Sequence, residues 1–116
     1  MTELKNIKNI YFIGIGGIGM SALARYFRSK GATVSGYDKT PTELTRELER
    51  EGIAVHYEDD PNSIPKQADL VVYTPAVPAD HKELNFYRDN DYKVMKRSEV
   101  LGLISDNSFN ICVAGT

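Results

Sequence analysis

Tryptophan is absent from this sequence, and cysteine occurs once. A lone Cys112 cannot close an intramolecular disulfide, which suits a reducing cytoplasm. It lies in the apolar run Ile111-Cys112-Val113-Ala114 and reads as a buried structural thiol. Histidine occurs twice, as His56 and His81, without the partner spacing of a metal site, so both are expected to be surface or edge residues. Neither sign of charge dominates: 14 Lys and Arg are interleaved with 16 Asp and Glu, for a net charge of −2. No basic patch therefore suggests a nucleic-acid partner. No apolar run is long enough to cross a membrane, and Met1–Lys5 lacks the apolar core of a secretory signal. These absences leave a cytoplasmic domain with no nucleic-acid or membrane partner.

What is present is enough to build one core, since 41% of the 116 residues are hydrophobic. Short apolar runs alternate with amphipathic segments. Ile10–Ile13, Thr33–Tyr37, Ile53–His56, Leu70–Tyr73 and Lys93–Met95 read as strands, and Asn110–Ala114 as a sixth apolar run. Between them, Ile18–Ser29 carries Met20, Leu23, Ala24 and Phe27 at helical spacing, and Lys30-Gly31 closes it. Thr42–Glu51 reads as a helix with Thr42 as N-cap and Gly52 as its stop. Helices are also expected over Lys82–Asn90 and Ser98–Ser105. Strands alternating with helices imply βαβ units and a doubly wound, Rossmann-like parallel sheet, with strand order 3-2-1-4-5.

Between the first strand and the first helix stands Gly14-Ile15-Gly16-Gly17-Ile18-Gly19. In a turn of this kind Gly14 permits the tight exit from the strand. A bare Gly16 lets a pyrophosphate approach the backbone, and Gly19 lets the helix pack closely on the sheet. Helix-start N–H groups then face the anion. On that reading, Gly16→Val is expected to stay folded while losing the ligand. Asp38 ends the second strand about 20 residues beyond the glycines, where an acidic ribose ligand is expected, although Asp also commonly opens turns. In a sheet of this order the crevice lies between the C-terminal ends of strands one and four. Gly14–Gly19 and Thr74–Pro78 should therefore be two lips of one site. On these features alone, an NAD-binding domain of an oxidoreductase and a non-catalytic nucleotide-sensing module both remain open.

Four stretches taken together narrow the choice. GIGGIGMSALA with the following GYD, TPAVPADHKEL, KRSEVLGLI and ICVAGT resemble, in order and over nearly the whole chain, the N-terminal domain of the UDP-N-acetylmuramate–L-alanine ligases. These belong to the Mur ligases of peptidoglycan synthesis, a family that also includes a closer rival, a ligase that recycles muropeptides. The resemblance implies that the UDP part of UDP-N-acetylmuramic acid is held by Gly14, Gly16, Gly17, Ile18, Gly19, Asp38, Thr74, Ala76 and Val77. It implies a central domain that binds ATP with Mg²⁺ and a third that serves L-alanine. The muramoyl carboxylate becomes an acyl phosphate, which the L-alanine amine attacks. Residues 1–108 would be the UDP-binding domain. Residues 109–116 would be the first strand of the central domain and the start of its ATP loop, at Gly115 and Thr116. No catalytic residue, metal ligand or cofactor is then expected within this chain, which alone would be inactive. Two departures stand out. The family's Ser-Ser-Ala-Ile/Val is Thr74-Pro75-Ala76-Val77 here, so Pro75 removes a backbone donor, and His81 replaces the usual Asn. Arg97 and Glu99 match the family's Arg-x-Glu.

Overall fold

The structure, a computed structural model, describes residues 7–107. The apolar run Asn110–Ala114 with Cys112, and the pair Gly115-Thr116, lie outside the described residues. The chain runs β1 (Asn9–Ile13), α1 (Ile18–Ser29), β2 (Thr33–Tyr37), α2 (Glu43–Arg50), β3 (Ala54–His56), β4 (Leu70–Tyr73), α3 (Lys82–Asp89), β5 (Val94–Lys96) and α4 (Arg97–Asn107). The five strands form one parallel sheet of order β3-β2-β1-β4-β5, as the alternating pattern implied.

Ile10–Ile13 of β1 and Leu70–Tyr73 of β4 are hydrophobic because both faces of the sheet centre are covered. Alternate β1 side chains go to opposite sides. Ile10 and Phe12 pack with Met20, Leu23 and Phe27 of α1, Leu48 of α2 and Val100 of α4. Tyr11 and Ile13 pack with Leu84 and Tyr87 of α3. The start of α1 and the start of α3 therefore flank the sheet from opposite faces. β2 carries a glycine, Gly36, where a Cβ would lie 2.7 Å from the Phe12 carbonyl oxygen and from Ile15 Cδ1. Only a hydrogen fits where Ile15 folds back over the strands.

The helix ends follow local chemistry. Gly31 and Gly52 both have φ of +95°, the left-handed conformation that stops α1 and α2. Thr42 caps α2, accepting from Thr45 N–H while Thr45 Oγ1 accepts from Thr42 N–H. The last helix begins at Arg97, directly after β5, and runs to Asn107, slightly beyond the expected Ser98–Ser105 at both ends. Glu99 Oε1 accepts the Lys96 N–H at 2.8 Å, so the chain passes from strand to helix without a loop.

Candidate functional site

Strand order reverses between β1 and β4, so the connections leaving their C-terminal ends diverge and open a crevice. The first lip is the glycine turn. Gly14 has φ of +92°, and its N–H and that of Ile15 both donate to the Tyr37 carbonyl, at 2.8 and 2.9 Å. This pair of bonds ties the turn to the end of β2. Gly17 is the N-cap of α1 but offers no side-chain cap, and the first turn holds no acid. The helical ladder begins with Ser21 N–H on the Gly17 carbonyl, so the amides of Ile18, Gly19 and Met20 have no acceptor in the helix. α2 and α3, by contrast, are capped by side chains, Thr42 and His81. An uncapped, acid-free helix start at a sheet crevice suits an anion.

The second lip is the loop after β4. Thr74 Oγ1 accepts the Ala76 N–H at 3.2 Å, and Val77 N–H donates to the Thr74 carbonyl at 3.1 Å. This turn needs no donor at position 75, so Pro75 fits it. The lips stand side by side: a Cβ on Gly14 would lie 3.7 Å from Thr74 and Val77 side-chain atoms. Between them lies a cleft of about 620 Å³ that brings together Gly14, Gly17, Asp38, Thr74, Ala76 and Val77. Gly16, Ile18 and Gly19 share the turn but do not line the cleft, and Ile18 is 86% exposed.

Two glycines are bare for reasons the motif alone does not show. At Gly16 a Cβ would meet Asp38 Oδ2 at 2.6 Å and Thr45 Cγ2 at 2.9 Å. The space expected for a ligand is filled by the protein's own Asp38, whose Oδ2 accepts the Gly16 N–H at 2.7 Å. Gly16→Val therefore collides with the fold and does not isolate ligand contact. At Gly19 the neighbour is Arg97, with its guanidinium 3.1 Å from a Cβ position, rather than the sheet. Asp38 is also engaged through Oδ1, which accepts the Thr40 N–H at 3.1 Å.

The far wall of the cleft holds residues that sequence reasoning passed over: Tyr37, Asp59, Asp80, Lys82 and His81. His81 is not a surface histidine. It is 6% exposed and caps α3, its Nδ1 accepting the Leu84 N–H at 3.4 Å. Asp59 joins it, accepting the Lys82 and Glu83 amides at 2.8 and 2.9 Å. The sequence signal was Asp80-His81-Lys82-Glu83, a polar residue three positions before an apolar one at a helix start. Behind this cap Glu83 is fully buried. Its carboxylate accepts from Tyr11 Oη at 2.7 Å, His56 Nε2 at 2.7 Å and Asp60 N–H at 3.0 Å. Burial, and next the Glu83 charge, push the Tyr11 phenol far above the usual tyrosine range. Burial raises Tyr37 as well, helped by the charges of Asp59, Glu83 and Asp38. Asp59, His81 and Glu83 place ligand-type atoms within 4.8 Å of one another. The bonds just described already engage both carboxylates, so the trio acts as a helix cap and a buried polar network.

The chain that builds this crevice matches a known family. Residues 9–108 match the model described as Mur ligase family, catalytic domain. The chain belongs to the Mur ligase family. Among curated Mur ligases, UDP-N-acetylmuramate–L-alanine ligase of Christiangramia forsetii is 54% identical over 122 residues, covering 100% of this chain and 27% of that protein. The enzyme of the same name from Porphyromonas gingivalis is 58% identical, over 95% of this chain and 25% of that protein. The chain thus spans about a quarter of the length of these relatives. Among solved Mur ligases, UDP-N-acetylmuramate-alanine ligase from Thermotoga maritima superposes with a TM-score of 0.77 at 35% identity, covering 83% of this chain and 22% of that one. Among the described residues, no helix is long and apolar enough to cross a membrane.

Proposed function

We propose that this chain is the UDP-substrate-binding domain of a ligase that joins L-alanine to UDP-N-acetylmuramic acid. One observation carries the reading: the uncapped glycine turn and the Thr74–Pro78 loop meet in one cleft. They do so in a chain that is 54% identical, along its whole length, to a protein of that name. The first-turn amides of α1 supply donors for a diphosphate, and Asp38, Thr74, Ala76 and Val77 border the nucleotide. Family membership favours this over an NAD-dependent oxidoreductase or a sensing module. In the parent protein ATP and Mg²⁺ supply activation of the muramoyl carboxylate and L-alanine supplies the amine, both through other domains, and the reaction is cytoplasmic. Gly115 and Thr116, assigned to the start of the ATP loop, lie outside the described residues. The residues of this cleft bind and orient; none is assigned a bond-making role.

The test is an amide-shift titration of the isotopically labelled chain with UDP, UDP-N-acetylmuramic acid and NAD. Shifts at Gly14–Gly19 and Thr74–Val77 with both UDP compounds, at lower concentration than with NAD, are expected. Shifts with NAD alone would overturn the assignment.

A further inference from the structure

One polar atom of a residue that lines the cleft is left without a use. His81 Nε2 is buried and has no hydrogen-bond partner among the described residues. Its ring state follows from the helix cap. Nδ1 accepts the Leu84 N–H, so in the neutral imidazole the proton sits on Nε2. Asp59 Oδ1 also lies 3.3 Å from Nδ1, but the Nδ1 lone pair takes the Leu84 N–H, so Nδ1 carries no proton to give it. Nε2–H is therefore a donor, on a side chain 6% exposed, with no oxygen to receive it. Buried donors are rarely left so, and such an exception calls for an explanation.

The surroundings say what the partner is. On the UDP reading a diphosphate at the start of α1 would sit on one face of the sheet end, while His81 caps α3, which packs on the other. A nucleoside joined to that diphosphate crosses the crevice toward His81, Tyr37 and Asp59. This wall is unsuited to a second phosphate, because Asp38, Asp59 and Asp80 all line the cleft. It suits a neutral acceptor beside a flat ring. Tyr37 packs edge-on against His81, with centroids 4.8 Å apart, and its hydroxyl makes no hydrogen bond among the described residues. That contact offers at most a weak π acceptor in the free protein, and a base reaching Nε2 must displace the Tyr37 ring, which also packs against His56.

We infer that His81 Nε2–H donates to a carbonyl oxygen of the nucleotide's base, making His81 a specificity residue of the cleft. The inference rests on the UDP reading above and deepens it. A base carbonyl completes the donor's hydrogen bond, and a ligand without a base leaves it unmade.

The experiment combines one substitution with direct observation of the ring. Ser is among the best N-caps, so His81→Ser keeps the α3 cap while its short side chain withdraws the Nε2 donor. Long-range proton–nitrogen spectra of the wild-type imidazole should show Nε2 protonated and Nδ1 bare. Adding UDP should shift Nε2, whereas ribose 5-phosphate, which lacks a base, should shift the glycine turn only. His81→Ser should bind UDP about tenfold more weakly, with ribose 5-phosphate binding unchanged. If UDP moves the turn amides but leaves Nε2 still, the inference falls and the UDP reading survives. An equal response of Nε2 to ribose 5-phosphate would likewise overturn the base contact alone. UDP that moves neither turn nor ring would overturn both.

Discussion

Gly16→Ala puts the internal account of the glycine turn at most risk. The methyl group would stand 2.6 Å from Asp38 Oδ2, 2.9 Å from Asp38 Cγ and 2.9 Å from Thr45 Cγ2. Neither neighbour can move freely. Asp38 accepts from Gly16 and Thr40 amides, and Thr45 is fully buried inside the α2 capping box while receiving the Tyr57 hydroxyl at 3.1 Å. Overpacking of this kind costs about 1–3 kcal/mol. Loss of a hydrogen bond to a carboxylate costs about 1.5–3 kcal/mol. The two share atoms and are not additive, so the expected destabilisation is about 3 kcal/mol. For a chain of this size that lowers the melting temperature by roughly 12 °C. Circular dichroism melting and urea titration measure it directly. Gly17→Ala is the control: Gly17 has an ordinary extended φ of −68°, and a Cβ there meets only the Gly14 carbonyl at 3.7 Å. It should melt within about 2 °C of the parent. A Gly16→Ala protein as stable as that control would refute the argument and return Gly16 to the ligand.

Ile18→Glu places a carboxylate at the first position of α1, where the side chain is 86% exposed. Stability should rise by about 0.3–1 kcal/mol through the helix dipole while UDP affinity falls; melting and titration on one sample check both. Glu83→Ala leaves the Tyr11 hydroxyl, the His56 ring and the Asp60 amide without their common acceptor, and should cost about 3–5 kcal/mol by urea unfolding. Burial also holds the phenols of Tyr11 and Tyr87 well above their ordinary 10.0. The unfolded chain releases those protons above pH 10 and the folded one keeps them. Stability is therefore unaffected below pH 10 and falls above it, by about 1.4 kcal/mol per pH unit for each tyrosine. Absorbance titration of the native chain at pH 11 should leave these two of the seven tyrosines un-ionised until it unfolds.

Much of this was written locally in the chain. The strands Thr33–Tyr37 and Leu70–Tyr73 carry the predicted bounds, Thr42 caps α2, and Gly31 and Gly52 end helices in the left-handed conformation. Such features depend on neighbours within a few residues, where side-chain volume, hydrogen bonding and φ preference act directly on the backbone. Alternation of strands and helices then leaves few topologies, and parallel order 3-2-1-4-5 is among them. What the sequence alone did not show is which distant atoms share space. That Asp38 fills the room beside Gly16, that Arg97 crowds Gly19, and that His56 meets Glu83 all depend on contacts spanning 22 residues or more. His81 looked like an edge residue because nothing adjacent to it in sequence explains its burial. Its burial follows from the packing of α3 beside Tyr37 and Asp59, which arrive from β2 and the loop after β3. The glycine spacing is a local requirement of the turn and was legible, whereas the donors and carboxylates facing the cleft were assembled only when the sheet closed.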